Sequence, residues 1–172
     1  MVECKSHAPM RTNEEITMYR KILVPFDNSE PSQHALQAAL DMTADAADAQ
    51  ITVLAVVDGN DAIYETFKIA SRMSGVLGDA LDVNAVPEPE DERAKDIARI
   101  QADIAPLVGD AQNVVIDVVK GSPHDAITAY AAGEEADCIV MGHRGMGSVR
   151  GMLGSVCYSV LHKTNVPVLV VK

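Results

Sequence analysis

Residues 141–156 read MGHRGMGSVRGMLGSV and hold five glycines, at 142, 145, 147, 151 and 154. Glycine lets a backbone turn with positive φ and lets a ligand approach the chain closely. The segment follows an apolar run and leads into a helical pattern. Backbone amides at such a loop-to-helix junction cradle anions, aided by the helix dipole. Ser155 offers a hydroxyl to a phosphate oxygen, and Arg144 and Arg150 offer charge. The chemistry indicated is phosphate binding, and the bland alternative is a glycine-rich turn without a ligand. The segment is not a Walker A loop, because G-x-x-x-x-G-K-S/T is absent. Nor does the first apolar run end in a dinucleotide fingerprint; it ends in Pro25, Phe26 and Asp27, without glycine. The pattern G-x-S-x-G does not occur around Ser155, so no serine-hydrolase elbow is indicated.

The elements that must position this segment alternate strand and helix. Lys21–Pro25, Ile51–Val57, Val114–Val119, Asp137–Met141 and Val166–Val171 read as strands. Ile51–Val57 is near-continuously apolar, which suits a strand covered on both faces, as in a parallel sheet. Between the first two, Ser29 reads as an N-cap and Pro31 as a first-turn proline. Ala35, Leu36, Ala39, Met42 and Ala46 follow at helical spacing. Ile63, Phe67, Ala70, Met73 and Leu77 keep helical spacing as well. Glu88–Glu92 reads as an exposed acidic loop and helix start, where carboxylates favour the dipole. Ala94, Ile97, Ile100 or Gln101, Ile104 and Val108 give the next helix its inward stripe. Ser122 and Pro123 open another helix, through about Ala132, and Val149, Met152, Leu153, Val156 and Val160 mark the last. The expected fold is α/β, a mainly parallel five-stranded sheet with helices on both faces. Ligands of such sheets bind beyond the carboxyl ends of the strands. Residues 1–17 read as a flexible N-terminal extension and 18–172 as a single domain.

The whole chain has 172 residues, 48% of them hydrophobic, enough for a sizeable core. Its formal net charge of -11 argues against a nucleic-acid backbone or an anionic membrane as partner. Two Phe, four Tyr and no Trp leave few stacking platforms for single strands. The charge is uneven: residues 138–172 contain no acid and carry Arg144, Arg150, Lys163 and Lys172. A small phosphate ligand suits that end of the chain. No apolar run approaches the roughly 20 residues that span a bilayer. Cys4, Cys138 and Cys157 form no C-x-x-C pair, which fits a reduced, cytoplasmic compartment. Cys138 reads as a small buried hydrophobe. Cys157, near a helix start, is a candidate for a lowered thiol pKa, with simple packing the favoured reading. The five histidines, at 7, 34, 124, 143 and 162, form no H-x-x-x-H pair, so no metal centre is expected. His143 sits inside the loop, where solvent exposure is the expected state.

The chain resembles the nucleotide-binding branch of the universal stress protein family over about residues 18–172. The resemblance rests on KILVPFDNSE at 21–30, ITVLAVVD at 51–58, VVKGSPHDAI at 118–127, the segment at 141–156 and the closing VPVLVV at 166–171. It implies the strand order 3-2-1-4-5 of the adenine nucleotide alpha hydrolase-like, Rossmann-like fold, and dimerisation through the last strand. An unpaired apolar edge strand such as Val166–Val171 favours the same pairing. The resemblance further implies binding of ATP, or of ADP or AMP, with Mg²⁺ able to accompany the phosphates. Pro25, Phe26 and Asp27 would lie at the adenosine end, with Asp27 toward adenine or ribose. Val56 would present its backbone to adenine, and Met141 and Gly142 would pass the ribose. Arg144, Gly145, Gly154, Ser155 and Val156 would surround the phosphates. The family pattern G-x2-G-x9-G-S/T is matched by Gly142, Gly145, Gly154 and Ser155, with eight residues rather than nine in the long interval. The expected function is nucleotide-dependent regulation of assembly or of an unidentified protein partner in stress response. Two alternatives stay open: a dimeric interaction module of the same fold that binds no nucleotide, which the shortened interval favours, and a slow ATPase. No catalytic residue is identified.

Overall fold

Apolar strands without polar alternation need helices on both faces to exclude water. A computed structural model describes residues 19–46, 48–57, 89–145 and 153–172, apart from the side chains of 89–91. In it, β1 (Lys21–Pro25), β2 (Gln50–Val57), β3 (Val114–Lys120), β4 (Cys138–Gly142) and β5 (Val168–Val171) form one sheet. The order is β3-β2-β1-β4-β5, with every neighbouring pair parallel. The described helices are α1 (Glu30–Thr43), α2 (Pro89–Val108), α3 (Pro123–Gly133) and α4 (Ser155–Lys163). The helical stripe at 63–77, the extension at 1–17 and Glu88 lie outside the described residues.

Strand alternation divides the core between two faces. Ile22, Val24, Ile51, Val53 and Val140 face one side, where Leu36 of α1 and Ile100 and Ile104 of α2 cover them. Leu23, Leu54, Ile139 and Met141 face the other, with Ile127 and Ala131 of α3 and Cys157 and Val160 of α4. Each fully buried Leu, Ile or Val adds roughly 1.5–3 kcal/mol of hydrophobic stabilisation. Of the two candidates in α2, Ile100 is the inward one, and Gln101 is exposed.

Several boundaries differ from the sequence reading. Met42 is 38% exposed, and Thr43 takes the inward place at the end of α1, its hydroxyl donating to Ala39 O. β5 starts at Val168 rather than Val166. Pro167 has no N–H to give a ladder, and Val166 N donates instead to Thr164 Oγ1 at 3.0 Å. α4 starts at Ser155, so Leu153 precedes it and is largely exposed; Val149 and Met152 lie outside the described residues. Ser29 caps α1 by accepting from Ser32 N at 3.4 Å. Ser122 occupies the N-cap place of α3 without a side-chain bond to the backbone N–H groups of the first turn; its Oγ lies 3.2 Å from His124 Nδ1 instead.

Two carboxylates hold the margins of the sheet. On the edge strand β3, Asp117 accepts from Arg93 of α2 at 2.6 Å and from the Tyr130 hydroxyl of α3 at 2.9 Å. The two bonds join helices of opposite faces across the β3 edge of the described sheet, one way to blunt strand-to-strand association. Burial opposes the Asp117 charge, but the bonds from Tyr130 and Arg93 outweigh it and hold the carboxyl below its ordinary value. Burial and the Asp117 bond push the Tyr130 hydroxyl up to about 12. At the amino end, Asp137 Oδ2 accepts from Arg20 N and Lys21 N, each at 2.9 Å. The Lys21 amide, then the Arg20 amide, lowers its pKa. A carboxyl lowered in the folded state contributes stability above its unfolded pKa, and loses it as pH falls through the folded value. Asp137→Asn is therefore expected to cost about 1 kcal/mol at pH 7, a modest figure because the carboxylate is solvated. The gap to the wild type should narrow as pH falls below about 4. Urea denaturation at both pH values checks this; a gap that stays constant would contradict it.

Candidate functional site

The strand order reverses between β1 and β4, which opens a crevice beyond their carboxyl ends. Past β1, Phe26 N donates to Leu54 O at 2.9 Å, which seats Phe26 in the core at 6% exposure. The chain then turns through Asn28 at φ 62, a conformation asparagine tolerates. The turn fixes Asp27: its Oδ1 accepts from Ser29 N at 3.1 Å and from Ser29 Oγ at 2.5 Å. Its Oδ2 lies against Gly145, where a Cβ would collide with it.

Past β4 the chain runs through two close approaches. A Cβ on Gly142 would stand 2.8 Å from the Pro31 carbonyl carbon, so α1 packs directly on the strand end. A Cβ on Gly154 would stand 2.9 Å from Arg144 Cα. Gly154 is also the N-cap of α4, and its N–H donates to His143 O at 2.8 Å.

These segments enclose a cavity of about 470 Å³. Pro25, Phe26, Asp27 and Val56 line it from β1 and β2. Met141, Gly142, Arg144 and Gly145 line it from β4 and the following turn. Gly154, Ser155 and Val156 line it from the start of α4. All eleven residues expected from the sequence thus meet in one place. Ser32, Leu54, Pro123, Ile127 and Cys157 also line it and were not among the expected site residues, although Pro123 was expected at the same end of the sheet. Two had a readable signal. Leu54 shares a strand face with Val56, and Ile127 stands one helical turn after Pro123.

The lining is chemically divided. Leu54, Ile127 and Met141 form an apolar floor that suits a flat ring. The rim carries Arg144, half-buried, and the first amides of α4, a combination suited to an anion. Among the described lining residues, Asp27 is the one acid and Arg144 the one lysine or arginine. No group of three His, Cys, Asp or Glu among the described residues could hold a metal ion. Arg150 lies outside the described residues.

Burial decides the states of the cysteines and of His143. Cys157 is 1% exposed, as its packing reading expects, and burial pushes its thiol pKa up rather than down. The apolar packing outweighs the helix start, so the thiol behaves as core. Cys138 is buried as expected, with its pKa also raised by burial. His143 is half-buried rather than exposed. Its Nδ1 lies 3.2 Å from Val171 O, and because a carbonyl only accepts, Nδ1 is the donor.

Comparison with known proteins adds independent findings. Residues 18–172 match the model of the universal stress protein family. Universal stress protein MJ0577 of Methanocaldococcus jannaschii is 32% identical over 164 residues, covering 90% of this chain and 96% of that one. A solved structure of MJ0577 matches with TM-score 0.67 at 27% identity, covering 90% and 96% of the two chains. Two more distant structures share the fold. One is a universal stress protein in complex with cAMP, at TM-score 0.50 and 23% identity over 89% and 96% of the chains. The other is the Archaeoglobus fulgidus universal stress protein in complex with dAMP, at TM-score 0.51 and 19% identity over 90% and 99%.

Proposed function

The chain belongs to the universal stress protein family, and on that premise we propose that its cavity binds ATP or a related adenine nucleotide. Binding would regulate assembly, or the engagement of a protein partner, in the stress response. One observation carries the reading: the eleven residues singled out by sequence line a single cavity at the strand-order reversal. The cAMP and dAMP complexes of proteins with this fold support it.

The proposed arrangement follows the lining. The apolar floor takes adenine, beside the Val56 backbone. Asp27 faces ribose hydroxyls, because a carboxylate repels phosphate. Arg144, Ser155 and the α4 amides take the phosphates. Mg²⁺ would be held mainly by phosphate oxygens and water, since Asp27 is the one described carboxylate in the lining. Slow ATP hydrolysis is the most activity we assign, because no described lining residue pairs a nucleophile with a base.

We also assign a homodimer formed through Val166–Val171. Leu169 of β5, facing the α1 side, and Tyr158 and Leu161 of α4, on the opposite side, are 41%, 57% and 42% exposed, apolar surface flanking the edge that pairing would use. No described helix is long and apolar enough to cross a membrane, and we assign the protein to the cytoplasm. Nucleic acid is not a proposed partner.

Thermal unfolding with ATP-Mg²⁺, ADP, AMP and no nucleotide tests the reading. A ligand at 100 times its Kd adds about 2.7 kcal/mol, which raises Tm by roughly 5–11 °C for a chain of this size. If millimolar ATP leaves Tm unchanged, the second reading stands: a dimeric interaction module without nucleotide. The eight-residue interval between Gly145 and Gly154 favours that second reading.

A further inference from the structure

We propose that His143 couples the cavity to the dimer edge, so that nucleotide binding tightens association with a second copy of the chain. This rests on the nucleotide and dimer assignments above and names the residue through which they communicate.

Three connections converge on His143. Its backbone N–H donates to Val171 O at 2.7 Å, carrying the β4–β5 pairing one residue beyond Gly142. Its ring Nδ1 reaches the same carbonyl at 3.2 Å. Its own carbonyl accepts from Gly154 N at 2.8 Å. Val171 ends β5, and Gly154 begins α4 while lining the cavity. The two elements that carry the exposed Leu169, Tyr158 and Leu161 are thus both tied to one residue, and that residue directly precedes Arg144.

The packing leaves little slack for these ties to absorb a movement. Arg144 Cα and Gly154 approach so closely that a Cβ on Gly154 would stand at 2.9 Å. On the other side, Pro31 closes on Gly142 in the same way. An anion that draws Arg144 and the α4 amides together therefore shifts His143 with them, and with it Val171. His34 Nδ1 lies 3.3 Å from Lys172 O, which gives the strand end a second anchor on α1. A β5 edge held straight is a better template for a twofold mate than a frayed one.

Coupling between two binding events is reciprocal, and typical factors are about 5–150-fold. In the wild type, ATP affinity at each site should rise at least about fivefold as protein concentration crosses the dimer dissociation constant. Because each dimer holds two nucleotides, saturating ATP-Mg²⁺ should lower that constant by the square of the per-site factor, at least about 25-fold. Sedimentation equilibrium and nucleotide titration at several protein concentrations read the two effects. His143→Ala keeps the backbone bonds and loses the ring bond, and should reduce both factors to under about twofold. His143→Asn places an amide donor where Nδ1 stood, and should restore them. A purely structural role would weaken ATP binding or dimerisation without changing their interdependence.

The outcomes separate cleanly. A wild type that binds ATP and dimerises with no interdependence overturns the coupling and leaves the cavity assignment standing. So does a His143→Ala protein that is coupled like the wild type. A wild type that is monomeric throughout overturns the dimer and the coupling together. A wild type that binds no nucleotide overturns the cavity assignment first, and the coupling falls with it.

Discussion

Gly154→Val removes the nucleotide-induced rise in Tm while the far-ultraviolet circular dichroism of the protein stays unchanged. Gly154 has φ -64 and ψ 149, a backbone that valine adopts freely. The cost is therefore one of contact alone. Even the first added atom stands 2.9 Å from Arg144 Cα and 3.4 Å from Arg144 Cβ. These neighbours are main chain and the root of a side chain, which cannot swing away. Arg144 and the α4 start must separate, and these are the two groups assigned to the phosphates. Losing one hydrogen bond to a charged phosphate oxygen costs about 1.5–3 kcal/mol, so affinity should fall by roughly 10- to 150-fold or more. Calorimetric titration with ATP-Mg²⁺ measures it. An unchanged titration would move the binding site elsewhere.

Leu36→Ala is expected to have the largest effect on stability. Leu36 is 0% exposed on α1, within the cluster that holds Val24, Val53 and Val140. Truncation removes its transfer energy and leaves a void that strands paired on both sides cannot collapse to fill. Such substitutions cost about 2–5 kcal/mol, a Tm loss of roughly 4–20 °C here. Leu36 does not line the cavity, so ATP should still raise the Tm of this variant by an amount like that of the wild type. Urea denaturation gives the stability change; a loss under about 1 kcal/mol would show that the void is relieved by repacking.

The legible part of the fold was what local sequence controls. Apolar runs located all five strands, most cleanly β1, β2 and β4 in the middle of the sheet, where burial on both faces leaves little polar alternation to blur them. Ser29 and Pro31 located the start of α1, where cap chemistry is local. Strand order was not legible in periodicity; it came with the family resemblance, since Ile22 meets Cys138 across 116 intervening steps of chain. Side-chain state was legible only where one influence dominated. The helix start beside Cys157 pointed to a low thiol pKa, and tertiary burial reversed it. His143 looked exposed because its partner, Val171, belongs to a strand 28 residues away. In the cavity, glycines and charges announced themselves by type. Ser32 and Ile127 did not, because a serine or isoleucine on a helix is ordinary until packing turns it toward a site.

The place of β1 has a consequence for how the chain is made. β1 is the first described strand to be synthesised, yet it lies in the middle of the sheet, between β2 and β4. Its β2 partner follows after a single crossover helix, Lys21 pairing with Gln50. Its other partner begins at Cys138. At about 5–20 residues per second, translation leaves one side of β1 open for roughly 6–23 s. During that time Ile22, Leu23 and Val24 present an apolar strand with unpaired backbone, the kind of surface that nascent chains must have shielded. Closure of the sheet, and of the crevice between β1 and β4, is thereby a late event, completed only when the last third of the protein leaves the ribosome.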